Sequence, residues 1–130
     1  MLNPWYVTGF CDGEAAFTYC RTYGSFAMYF AVKQREDNRQ IVDDIREFFN
    51  FVGNIYRQKE SKASPKAGHS KPAAYYRVTK IGDLKIIIDH FDRYPLQSLK
   101  KLEAYKVWRA MVLHKLENYR DIDYDTLRAL

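Results

Sequence analysis

The chain predicts an α+β domain built on an antiparallel sheet. Three observations carry this reading. Apolar positions at helical spacing alternate with runs of period two, the strand-like runs come as two adjacent pairs, and capping or breaking residues mark the joints. The length of 130 residues fits one ordinary domain, residues 1–130, with room for a core that needs no disulfide staples.

Asn3-Pro4-Trp5 opens a first helix, with Asn3 as N-cap and Pro4 at the first helical position, and the helix runs to about Glu14. Residues 16–23 read as a strand, Tyr23-Gly24-Ser25 as a turn, and residues 26–33 as a second strand. Phe26, Met28, Phe30 and Val32 share one face of it; Ser25, Ala27, Tyr29, Ala31 and Lys33 share the other. The sheet therefore has a buried face and a wet face. A capping box from Asp37 to Gln40 starts a helix that puts Ile41, Ile45, Phe48, Phe49 and Val52 on one stripe, and Gly53 ends it. Residues 54–59 form a third strand, 60–72 a mobile loop rich in Lys, Ser, Gly and Pro, and 73–80 a fourth strand. Asp83 caps a third helix carrying Leu84, Ile87, Ile88 and Phe91, which Tyr94-Pro95 breaks. A long helix follows over residues 97–117, anchored by Leu99, Leu102, Trp108, Met111 and Val112, and residues 121–130 add a short helix.

Lys and Arg number 21 against 16 Asp and Glu, a net charge of +5 that only weakly favours a polyanionic partner. No run approaches the roughly 20 apolar residues of a membrane helix, and no opening stretch reads as a secretory signal. The expectation is an intracellular protein with no membrane partner. Cys11 and Cys20 make neither a disulfide framework nor a zinc site, and are read as plain thiols in a reducing compartment. His69, His90 and His114 are too scattered to suggest a metal site. Eleven tyrosines suit a half-wet binding face as well as a core.

The segment Trp5 to Phe17 is the most telling. Gly9 and Gly13 lie four apart on one helix face, each costing roughly 1 kcal/mol mid-helix. The spacing fits two readings equally, a smooth groove where the helix meets its own copy and a helix packed tightly on its own sheet. Asp12 and Glu14 fall at the helix C-terminus, where an acid is locally unfavourable. Exposed surface acids are the commoner arrangement; a bound cation held by a carboxylate and an orphan carbonyl is the other.

Val7-Thr8-Gly9-Phe10-Cys11-Asp12-Gly13-Glu14-Ala15 resembles the LAGLIDADG motif. The resemblance extends over about residues 4–116, through Phe30 to Glu36, Phe48-Phe49 with Gly53 to Tyr56, and His90 to Leu96, leaving a C-terminal helical tail at 117–130. Ala15 stands where the motif usually ends in Gly, and Cys11 at an aliphatic position; neither change removes an acid. The chain is thus similar to homing endonucleases of the single-motif, intron-encoded type. That implies an αββαββα fold with a saddle-shaped antiparallel DNA-binding sheet. It also implies a homodimer that cuts a long near-palindromic duplex site, by metal-dependent hydrolysis across the minor groove, leaving short 3′ overhangs.

The same resemblance implies roles by position. Glu14 holds the catalytic metal, with the Gly13 backbone carbonyl beside it, and Asp12 supports the helix end. Gln34 orders the metal-bound water network, and Lys100, or its neighbour Lys101, lies near the scissile phosphate. The ions are Mg²⁺ or Mn²⁺, two or three per dimer site. Val7, Gly9, Phe10 and Gly13 form the dimer interface. Thr18, Thr22, Ser25, Tyr29, Lys33, Arg35, Tyr56, Gln58, Tyr75, Arg77 and Thr79 face double-stranded DNA, with Arg77 and Gln58 as base readers. Lys59, Lys62, Lys66 and Lys71 contact phosphates. A dimer carries twice the +5 charge, about +10, enough for salt-sensitive binding. The host compartment is an organelle (mitochondrion or chloroplast) or a prokaryotic cytoplasm, with no residue to choose between them. The alternative is a non-cleaving module of the same fold, a transcription regulator or a maturase whose partner is intron RNA. An RNA-binding sheet of the ribonucleoprotein type lacks its strand motifs here.

Overall fold

The structure, a computed structural model, describes residues 1–22, 25–59 and 71–129, with the side chains at 22, 25 and 119–129 outside the description. The elements follow the order α1 (Pro4–Glu14), β1 (Ala15–Thr22), β2 (Ser25–Arg35), a 3₁₀ turn (Glu36–Asn38), α2 (Arg39–Phe48), β3 (Asn54–Gln58), β4 (Ala73–Val78), α3 (Ile81–Arg93) and α4 (Leu99–Ala129). The four strands form one antiparallel sheet in the order β1-β2-β4-β3, so the second members of the two pairs meet at its centre.

Alternation along the strands decides which side is buried. Phe17, Met28, Phe30, Val32, Ala74, Tyr76 and Val78 point to one face and join a single core cluster. Every helix adds to that cluster: Val7 and Cys11 from α1, Val42 and Ile45 from α2, Leu84, Ile87, Ile88 and Phe91 from α3, and Tyr105, Trp108 and Val112 from α4. Trp108 locks α4 to the sheet, its indole N–H donating to the Thr18 and Tyr29 carbonyls at 3.1 Å each. The helices among the described residues pack on this inner face.

Several sequence expectations shift. Asp37 does not cap α2; a 3₁₀ turn intervenes, Asn38 stands at the N-cap, and Asp37 pairs with Arg35 at 3.1 Å. Lys80, not Asp83, is the N-cap of α3, with Asp83 inside its first turn. The helix α2 ends at Phe48, and a tight turn with Asn50 and Phe51 at positive φ follows. Gly53 serves the start of β3 instead: at φ 75° a Cβ would stand 2.5 Å from the Arg77 carbonyl oxygen. Leu99 is not a core anchor but is 72% exposed. The final helix is continuous from Leu99 to Ala129, with no separate short helix in the tail. The loop at 60–70 lies outside the described residues.

One core contact ties α1 to α3. His90 is buried among the rings of Phe48, Phe49, Phe91 and Tyr94. The Thr8 hydroxyl donates to the Tyr94 carbonyl at 2.8 Å, so its oxygen accepts from His90 Nε2, 3.0 Å away. This places a proton on Nε2. Burial lowers the pKa from 6.5 to about 4. The unfolded chain therefore binds the extra proton between those values, and stability falls as pH drops through that window. Stability at pH 5 is expected to be about 2 kcal/mol below that at pH 8, read from urea midpoints. His90→Gln should flatten this dependence; an unchanged slope in that variant would show that other groups cause it.

Candidate active site and nucleic-acid interface

The helix α1 delivers its acids in opposite directions. Its buried residues are Val7, Thr8 and Cys11, so the other side faces out. Val7 is wholly buried in the core and therefore does not lie on the open face expected to meet a second copy. Tyr6, Gly9 and Gly13 do lie there, and Phe10 sits partly beneath it, stacked on Tyr6 with ring centroids 6.4 Å apart. A Cβ built at Gly9 or Gly13 meets nothing within 4 Å. Packing on the chain's own sheet thus does not require either glycine.

Asp12 turns back toward the protein. Its Oδ2 accepts the backbone N–H groups of Gln97 and Ser98 at 3.0 and 2.9 Å, capping the start of α4 from another helix. Burial works against its charge, yet these bonds and the nearby Lys101 outweigh it and hold the carboxyl below its ordinary range. Next to it, Lys101 donates to the Ala15 carbonyl. The end of α1 and the start of α4 are therefore joined by two polar links. Burial pushes the Cys11 thiol up, so it supplies no thiolate.

Glu14, by contrast, is exposed at the last turn of α1. It shares an open cavity of about 610 Å³ with Lys33, Gln34, Arg35, Lys71 and Ala73. The strand β2 outlasts its expected end by two residues, and this carries Gln34 and Arg35 to the cavity. Gln34 accepts from Asn38 Nδ2 at 2.9 Å and donates to the Lys33 carbonyl at 3.0 Å, which fixes its amide. Asn38 was not legible as a site residue; its only sequence signal is the four-residue spacing from Gln34. Lys100 is exposed and lines a second cavity, of about 380 Å³, with Ala15, Ala16, Phe17, Ser98, Lys101 and Ala104. The structure thus brings Glu14 and Gln34 to one cavity and sets Lys100 at another. Lys101 makes the direct contact with the Ala15 backbone. Among the described residues no three His, Cys, Asp or Glu side chains gather as a metal site.

The outer sheet face places the expected DNA-facing side chains in cross-strand rows. Thr18 pairs with Tyr29; Ala31, Arg77 and Asn54 form a second row; Lys33, Tyr75 and Tyr56 a third; Arg35, Ala73 and Gln58 a fourth. Thr79 and Lys59 are exposed just beyond β4 and β3, and Lys71 is exposed just before β4. The side chains of Thr22 and Ser25, and all of Lys62 and Lys66, lie outside the described residues. No helix among the described residues is long and apolar enough to cross a membrane.

Known proteins resemble the chain in sequence and in fold. The chain is 29% identical over 123 residues to an uncharacterized 50.9 kDa protein in ND4 intron 1 of Podospora anserina, covering 88% of this chain and 25% of that protein. Its fold matches the LAGLIDADG homing endonuclease I-GzeII in complex with its DNA target, at TM-score 0.73 and 26% identity over 92% of this chain and 38% of that one. It also matches the LAGLIDADG meganuclease I-AabMI bound to uncleaved DNA, at TM-score 0.74 and 26% identity, covering 93% and 39%. The homing endonuclease I-TnaI matches in fold at TM-score 0.74 and 23% identity, and there the chain covers 76% of its counterpart. The chain thus spans a quarter to two-fifths of the length of most of these relatives. The model of the LAGLIDADG endonuclease family matches residues 7–112, and the chain belongs to that family.

Proposed function

We propose that the chain is a site-specific DNA endonuclease of the homing type, acting on double-stranded DNA as a pair of LAGLIDADG domains that is a homodimer of this chain. One observation carries the proposal: an exposed glutamate and a fixed glutamine share a cavity with three basic side chains, at the end of a sheet face rich in Tyr, Lys and Arg.

The donor set suits a hard divalent cation such as Mg²⁺ or Mn²⁺. Glu14 offers carboxylate oxygens, and the Gly13 carbonyl lies in the last turn of α1, where carbonyls lack intrahelical partners. Among the described residues no cluster of acids encloses an ion, so a second Glu14 and the DNA phosphates would complete the ligand set. The bound ion supplies an activated water and charge neutralisation for phosphodiester hydrolysis. The chain's own residues do the rest. Gln34, held by Asn38, orients polar partners beside Glu14. Lys33, Arg35 and Lys71 draw a phosphate backbone to the cavity. Lys100 or Lys101, carried on α4, offsets charge developing on the phosphate. Asp12 holds α4 against α1 and so keeps those lysines in reach of the motif.

Two copies related by a twofold axis place one Glu14 near each strand, and the symmetric surface calls for a near-palindromic target. Such a pair makes 3′-overhanging ends when each subunit cuts across the minor groove. The test uses the purified chain and a plasmid carrying the joined flanks of its open reading frame. Double-strand cleavage is expected with Mg²⁺ and none with chelator. Binding without cleavage under every divalent metal would replace this reading with a non-cleaving module.

A further inference from the structure

We propose that Arg77, stacked on Tyr29, reads the O6/N7 edge of a guanine in each half of the target duplex, an inference that rests on the DNA-cutting function proposed above. The Arg77 guanidinium carbon lies 3.9 Å from the centroid of the Tyr29 ring, the shortest such stack among the described residues. Ring and guanidinium stand on the outer face, on the two central strands. Ala31, the Cα partner of Arg77, faces the same way but is only 3% exposed, and Tyr29 lies two residues before it on β2. On the far side Arg77 pairs with Asn54, which is exposed.

Three features make this arginine unlike a solvated surface charge. It forms no salt bridge among the described residues, whereas Arg35, Arg39, Arg57 and Arg109 all do. Its Nε is buried without a partner. Its guanidinium lies over the Tyr29 ring. An orphaned buried N–H is costly, and a planar fork with no acid beside it suits a ligand with two coplanar acceptors. Guanine offers that pair in the major groove; adenine offers one acceptor and one donor, and so repels one arm. A phosphate also accepts from a fork. Phosphates, however, line the groove walls, whereas Arg77 lies on a central strand with paired strands on both sides. That position faces the groove floor. Tyr75, one row nearer the Glu14 cavity, has its hydroxyl pushed above the ordinary range by burial and then by the neighbouring Tyr29.

The experiment selects bound duplexes from a randomised pool with the wild-type chain and with Arg77→Ala, Arg77→Lys, Tyr29→Leu and Tyr29→Phe. Wild type is expected to enrich guanine at one position per half-site. Arg77→Ala should erase that preference alone, and 7-deazaguanine there should weaken wild-type binding about tenfold or more. Tyr29→Leu should blunt the preference several-fold, while Tyr29→Phe, which keeps the ring, should retain it. If Arg77→Ala weakens all sequences evenly and lowers the salt dependence, Arg77 is a phosphate contact and the inference fails. A wild-type chain that retains no duplex from any pool overturns the endonuclease function itself.

Discussion

Glu14→Gln is expected to lower the cleavage rate by about 10³-fold or more, the scale of a lost electrostatic contact in a transition state. Duplex affinity should stay within a few-fold. The split follows from where Glu14 stands. Among the described residues it makes no hydrogen bond or salt bridge and is exposed, so the fold does not depend on it. Glutamine keeps its shape while losing the charge that a cation needs. Near phosphates the lost charge removes a repulsion, so binding has no reason to weaken. Single-turnover cleavage in Mg²⁺ and anisotropy binding on the same duplex check both halves. Equal losses in rate and affinity would mean that Glu14 holds structure. Full cleavage by the variant would move the site elsewhere. Asp12→Asn provides the contrast, since it weakens the cap on α4 and should lower thermal stability together with activity.

That two acids two residues apart do such different work was legible only in part. Sequence placed both at the end of α1, because Asn3-Pro4 fixes where the helix begins. The face toward the core was also readable, since period two on β2 and β4 separates Phe30, Val32, Tyr76 and Val78 from Tyr29, Lys33, Tyr75 and Arg77. What stayed hidden depends on contacts distant along the chain. The stack of Arg77 on Tyr29 needs β2 beside β4, a pairing that skips β3 and leaves no local signal. The link from Lys101 to Ala15 turns on the rotation of α4, where a one-residue difference moves a side chain by about 100°. Val7 reads as an open-face residue from the motif but lies beside Cys11 on the buried stripe, four positions apart. Asp37 does not cap α2 because the 3₁₀ turn Glu36–Asn38 takes it up and moves the N-cap to Asn38.

The second large effect concerns assembly. Gly13→Leu is expected to weaken self-association at least tenfold, and Gly9→Leu to do the same, seen as a shift from dimer to monomer in sedimentation. Within one chain nothing lies within 4 Å of a Cβ at either position. Gly9 sits mid-helix, so Gly9→Ala should even stabilise an isolated chain by about 1 kcal/mol through helix propensity. The sign is therefore diagnostic. If the open face of α1 meets another helix backbone at close range, alanine lowers the stability of the assembly at working concentration and leucine lowers it more. If the face meets only water, Gly9→Ala raises the melting temperature and association does not change. A leucine variant that remains a monodisperse dimer would show that the chains pair through some other surface. Glu14 adjoins Gly13, so losing this contact should also separate the two acids, and cleavage should fall with dimer content and not beforehand.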